Sequence, residues 1–401
     1  ENNFVQTIGS AGESVAAGAI FTLPALFLWA EEGKIAFPSI MTIFLIALFG
    51  GILGVCFMVP LRQALIVEEH GTLPFPEGTA CAEVLLAGEE GGSKAGTVFA
   101  GLGIAAVYKF VADGLHLFSS EIGYAFKSYA GSQIGIQVLP SLAGVGYICG
   151  PKISSYMLAG GTLSWFVLMP LIALFGGDAT VFPGTDPISS MAPSDIWNNY
   201  IKYIGAGAVA AGGMISLIKT FPLIIRTFKQ AMASMSKKHA DKNAPRTEQD
   251  LPMPILLAII VVIVIAIWLI PTFPVNPIGA LIVVIFGFFF ASVSSRMVGL
   301  IGSSNNPVSG MAIATLIIAT IVLKATGTAG TTGMIGAIAI GGIICIVAAI
   351  AGDTSQDLKT GFIVGATPKK QQIGEMIGVI ASAAAIGFVL YLLNEAWGYG
   401  T

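Results

Sequence analysis

The sequence predicts an all-α, polytopic integral membrane protein with about eleven transmembrane or re-entrant helices. Three observations predict it. The 401 residues are 55% hydrophobic and only 10% charged, with mean hydropathy +0.85, whereas soluble domains carry about 25% charge. Apolar runs approaching the ~20 residues of a bilayer-spanning helix recur along the whole chain, as they must where backbone groups in hydrocarbon can be satisfied only internally. Lys and Arg fall largely in alternate connections between those runs.

In order, the runs are Val15 to Trp29, Ile40 to Leu61, Ala95 to Leu117, Ile134 to Cys149, Ser155 to Phe175, Tyr200 to Ile224, Ile255 to Ile270, Ile278 to Val293, Met311 to Leu323, Met334 to Ile350 and Ile373 to Leu393. The first and ninth are short. The one plainly soluble stretch holds Arg226, Lys229, Lys237, Lys238, Lys242 and Arg246, which places it in the cytoplasm. Counting outwards from it puts Arg62, Lys94, Lys152, Arg296, Lys359, Lys369 and Lys370 on the same side, and Lys34, Lys127, Lys202 and Lys324 on the other. The expected organisation is an N-terminal helix bundle over 1–225, a basic cytoplasmic linker over 226–252 and a second bundle over 253–401. The chain opens without Met and stops without a polar tail, so this second bundle is expected to be truncated. Small residues four apart, at Gly50/Gly54, Gly146/Gly150, Gly361/Gly365 and Gly374/Gly378, predict close helix packing.

Several function classes are excluded. Cys56, Cys81, Cys149 and Cys345 have no CxxC spacing, so neither a disulfide framework nor a zinc site is indicated and the chain calls for no cofactor or metal. The net charge of −3 and the lack of a dense basic face argue against nucleic acid. No GxxxxGK[ST] motif occurs. Asp357-Leu-Lys-Thr-Gly echoes an aspartyl-phosphate site, but its inserted Leu breaks the spacing. An intramembrane carboxyl dyad finds only Asp113 as a second acid.

Four stretches break the apolar pattern, and polar groups in a membrane are functional candidates because burying them is expensive. Gln6 to Gly18 carries Glu13, which reads equally as the partner of Ser10 in a helix-start capping box. In Gly71 to Glu83, "GTLPFPEGTACAE", Leu73-Pro-Phe-Pro cannot continue a helix, and a new helix starting near Glu77 would offer free N–H groups. Its other reading is a headgroup-level loop. Gly302 to Gly310 supplies Asn305 and Asn306, with Pro307 in the first turn of the next helix, or forms a simple capped turn. Gly352 to Gly361, "GDTSQDLKTG", sets Asp353 and Asp357 one helical turn apart with Lys359 able to neutralise either, or forms a solvated cytoplasmic loop. Within the third run, Lys109, Asp113 and His116 share one helical face, and His116 has the chemistry of a proton relay.

Four quoted segments, "ENNFVQTIGSAGESVAAGAIFTLPAL", "LPFPEGTACAEVLLAGE", "SSNNPVSGMAIAT" and "AGDTSQDLKTGFIVGATPKKQQ", closely resemble the bacterial branch of the oligopeptide transporter family, which is related to the yellow-stripe-like carriers of metal chelates. The resemblance runs through the whole chain in order. It implies a multi-pass protein of the bacterial inner membrane, not an enzyme, that takes up peptides or metal complexes of peptide-like chelators together with protons; self-association is compatible with it. Glu77, Glu83, Asn305, Asn306, Asp357 and Lys359 are the expected substrate lining. Glu13, Glu77, Asp113, His116 and Asp353 are the candidates for carrying the proton. An ion channel is the more distant reading, which would want rows of like charges or carbonyls that the sequence lacks.

Overall fold

A computed structural model of the chain describes residues 1–126, 128–129, 131–215, 218, 222 and 245–399, with Ser93 and Lys94 described by backbone alone. Its regular structure is helical apart from one antiparallel hairpin, Glu121–Ala125 paired with Gln133–Gln137. Among the described residues, nine helices are long and apolar enough to cross a membrane. Two of the eleven expected runs account for the difference. The fourth and fifth merge into one span, Pro140–Gly176, because only Gly150 leaves helical geometry, with φ 76°, ahead of Pro151. The expected fourth run also began too early, since 134–137 is strand. The sixth run is helical through residue 215 and then, like the basic stretch 226–244, lies outside the described residues.

The chain forms two compact units. One comprises residues 83–208, with the hairpin, the helix Gly92–Lys109, the kinked span and a small core of Met169, Ile196 and Ile201. The other joins residues 1–82 to 209–401. Its hub is a central helix, Gly330–Val364, whose apolar window is 89% buried, against 33% for the C-terminal helix Pro368–Trp397. Around the hub pack the N-terminal helix Asn2–Ile20 and the helices Ile40–Met58, Pro277–Ile301 and Val308–Ala325, and the C-terminal helix lies against Asn2–Ile20 and Ile40–Met58. Ser39 and Asn276 start two of these helices by accepting the N–H of Thr42 and Gly279, at 3.1 and 2.8 Å, which satisfies donors that a helix start leaves free.

Glycines let the backbones approach. A Cβ on Gly50 would sit 2.8 Å from the Ile343 carbonyl oxygen, and one on Gly378 would sit 2.4 Å from that of Ile8. The Gly50/Gly54 and Gly374/Gly378 pairs are therefore packing faces of the kind membrane helices use. Gly146 and Gly150 face open space, so that pair does not pack. Gly361 meets Gln371, while Gly365 ends the hub helix in a left-handed turn.

Basic residues expected on one side do gather at one end of this unit. Arg62 grips Asp250 through two bonds, 2.7 and 2.8 Å, Gln372 donates to the same carboxylate at 2.6 Å, and Arg296 pairs with Glu69 at 2.8 Å. The opposite end holds the Glu31–Asn394 and Asn276–Thr326 contacts, close in sequence to Lys34 and Lys324. The Arg62 side chain is 3% exposed and that of Asp250 29%. Removing one partner of a buried pair strands the other charge, so Asp250→Ala is expected to cost about 3 kcal/mol, the low end of the usual range because Asp250 is partly solvated. Thermal unfolding of the purified variant checks this, and an unchanged midpoint would show the pair to be energetically idle.

Candidate functional site

The stretch Gly352 to Gly361 does not break the apolar pattern as a loop. It is the last third of the hub helix, and Thr354, Ser355, Gln356, Asp357, Lys359 and Thr360 are all buried. At 1.5 Å per residue the 35-residue helix is about 52 Å long, against a hydrocarbon core of ~30 Å. Packing, whatever the depth, is what removes these polar groups from lipid. Residues 100° apart on a helix point in different directions, and here three faces find three partners.

The first face carries Asp353 and Asp357, one turn apart, towards the N-terminal and C-terminal helices. Asp357 accepts hydrogen bonds from Gln6 Nε2 and Ser10 Oγ. Its backbone carbonyl accepts from Gln371 Nε2 at 2.7 Å. Glu375, one turn beyond Gln371, enters the same space with 0% exposure, and no N–H or O–H donor reaches either of its oxygens. Oxygen atoms of Asp353, Asp357 and Glu375 lie within 4.8 Å of one another. Among the described residues no ion pair involves any of the three. Ser10 and Glu13 thus stand in the middle of a helix that begins at Asn2, not at a capping box: Ser10 holds Asp357, and Glu13 is exposed one turn further on.

The second face carries Gln356 and Thr360. Gln356 Oε1 accepts the Gly78 N–H at 2.7 Å, and Thr360 donates to the Gly78 carbonyl at 2.8 Å. The expected break at Leu73-Pro-Phe-Pro is present, with Phe75 at φ 46° and a helix running Pro76–Glu90. Its first turn is docked on the hub, however, so the Gly78 N–H is not free. Glu77 is likewise engaged: its carboxylate accepts the backbone N–H groups of Ser303 and Ser304, at 2.7 and 3.0 Å. Two of the four singled-out stretches therefore clamp each other. Asn305 and Asn306 are in the same junction, donating to the Ile301 carbonyl at 2.9 Å and to Ser294 at 2.8 Å, with Asn306 Oδ1 buried and unpartnered. Pro307 sits one residue ahead of the helix it was expected to open from within.

The third face is Lys359, two residues from Asp357 and so turned away from it. Lys359 does not neutralise either aspartate. Its Nζ bonds His70 Nδ1 at 2.8 Å and the Leu73 carbonyl at 3.2 Å, and lies 5.5 Å from the Phe75 ring centre. Desolvation and then the Lys359 charge hold His70 below its ordinary value of 6.5, which keeps Nδ1 an acceptor. A base whose folded value is lowered contributes its stability above the unfolded value and loses it as pH falls. Thermal stability should therefore decline as pH drops below 6.5, and His70→Ala should lack that part of the decline; an unchanged pH slope would exclude His70.

The remaining candidates stand apart from this cluster in sequence and belong to the other unit. Glu83 is exposed on the helix Pro76–Glu90. Lys109 and Asp113 pair with each other, both about half exposed. His116 does not share their face, because the helical turns end at Gly114 and His116 adopts φ 51°.

A family model described as OPT oligopeptide transporter protein matches residues 1–401. The chain belongs to the oligopeptide transporter family. A Haemophilus influenzae protein named for oligopeptide transport is 31% identical over 433 aligned residues, covering 100% of this chain and 65% of that protein. A metal-nicotianamine transporter of Arabidopsis thaliana is 24% identical, covering 100% of this chain and 63% of its own length. The chain thus spans just under two thirds of both relatives, and with its nine apolar spans it is a multi-pass membrane protein.

In this oligopeptide transporter family member the residues missed by sequence reasoning are Glu375, Gln6, Gln371, Gln356 and His70. A signal for Glu375 was present. It is the lone acid in the apolar run Ile373 to Leu393 until Asn394-Glu395, and an ionisable group in such a run is a candidate by itself. The glutamines carry no comparable signal, since their role rests on which helices meet.

Proposed function

We propose that this chain supplies the larger part of a secondary transporter that imports oligopeptides together with protons. The observation that supports it is the convergence of Asp353, Asp357 and Glu375, shielded from lipid, on hydroxyl and amide groups of Gln6 and Ser10. Three carboxylates at this spacing repel one another strongly, so a proton taken up there relieves repulsion and one released restores it. A carrier needs such an exchange if one ion gradient is to drive another solute. The same acids suit the ammonium end of a peptide. Amide partners for its backbone would come from the Asn306 and glutamine side chains, and Lys359 is the nearest candidate for its carboxylate. Glu77, with its oxygens committed to Ser303 and Ser304, serves the junction first.

The similarity to metal-nicotianamine transporters across the whole chain favours a second reading, import of metal complexes of peptide-like chelators. Uptake by the full-length protein in proteoliposomes under an inward proton gradient separates the two. Accumulation of a labelled peptide mixture that collapses on adding a protonophore is the expected result. Uptake of an iron chelate alone would select the second reading, while saturation-free flux of either solute without accumulation would point to a channel.

A further inference from the structure

The carboxyl cluster has a geometry that a proton alone does not require. We propose that Asp353, Asp357 and Glu375 form a seat for one dehydrated, oxygen-preferring cation of the size of Ca2+. Two of the acids come from one turn of the hub helix. The third comes from a separate helix, is completely buried, and points both of its unpartnered oxygens into the same space. Asp353 Oδ2 is buried and unpartnered as well. A carboxylate driven into protein without a donor costs several kcal/mol, and here it meets two like charges in place of a cation.

Size and chemistry narrow the occupant. Ligand oxygens around a Ca2+-sized ion lie about 2.3–2.6 Å from it and so stand at most about 5 Å apart, and the three here fall within 4.8 Å of one another. The donors are all oxygen, with no Cys or His among them, which selects against soft metals. Ser10 and Gln6 hold Asp357 in place from the N-terminal helix, as hydrogen bonds behind a ligand usually do. The Lys359 ammonium, which would otherwise compete for the site, is drawn off to His70 and Leu73. A bound cation would then tie the hub, the C-terminal helix and, through Asp357, the N-terminal helix together. It would occupy the oxygens that the transport reading assigns to protons, so the two would exclude each other.

The test is equilibrium dialysis of the full-length, detergent-purified, chelator-stripped protein against radioactive Ca2+. One saturable site per chain is expected, weakened at least about tenfold in both Glu375→Gln and Asp357→Asn, each shown monodisperse. Absence of saturable binding by the unmodified protein would overturn the inference, as would an affinity that neither substitution changes. Proton-driven uptake without Ca2+ binding would sink this inference and leave the transport reading intact. Binding without uptake would do the reverse.

Discussion

Gly78→Val is expected to cost about 2–4 kcal/mol and to abolish whatever transport the full-length protein performs. A Cβ at this position would stand 2.4 Å from the Gln356 backbone oxygen and 2.8 Å from Gln356 Oε1. The nearer atom belongs to the backbone of the hub helix, so it cannot swing aside, and the first turn of Pro76–Glu90 has to lift off. Overpacking of this kind costs ~1–3 kcal/mol, and the displaced Gly78–Gln356 and Thr360–Gly78 hydrogen bonds add about 1 kcal/mol each. Glu77, next in the chain, would be pulled from Ser303 and Ser304 at the same time. A thermal midpoint within a degree of the unmodified protein would show that the clamp between these segments does not hold the fold. Gly71 makes a suitable control, since its Cβ would meet nothing within 4 Å.

This expectation could not have been written from the sequence. The break at Leu73-Pro-Phe-Pro was legible because Pro removes a donor and restricts the residue before it, effects that act locally. The spans were legible because hydrocarbon imposes a length and an apolarity on each helix by itself, and the shared end of Arg62, Arg296 and Lys359 followed from charge asymmetry. What the break does was not legible, since free N–H groups and an occupied docking site look alike until the partner is known, and the partner of Gly78 is 278 residues away. The hub helix was misread for a related reason. Asp353 to Thr360 is polar enough to suggest a loop, but tertiary partners on three sides replace water for each group, and a helix tolerates any residue whose side chain is satisfied. Lys359 and Asp357 looked like a pair by proximity in sequence, although a separation of two puts them on different faces of a helix.

Glu375→Gln should separate stability from function. In chelator-treated protein, Gln at this position removes one of three mutually repelling buried charges while keeping nearly the same shape. The thermal midpoint is therefore expected to stay level or rise, with the gain on the order of 1 kcal/mol that replacing poorly compensated buried charge commonly gives. Gradient-driven accumulation should fall to background, because an amide neither gains nor loses a proton. Functional sites often keep an arrangement that costs stability, and Glu375, with no donor of its own among the described residues, fits that pattern. With Ca2+ present the sign should reverse: the unmodified protein gains the binding energy and the variant does not. A variant less stable than the parent even in chelator would mean that the Glu375 carboxyl makes a stabilising hydrogen bond, a shared proton with Asp357 being the first candidate. In that event the cluster is held together by protons, and the coupling role would pass to the proton that joins those two groups.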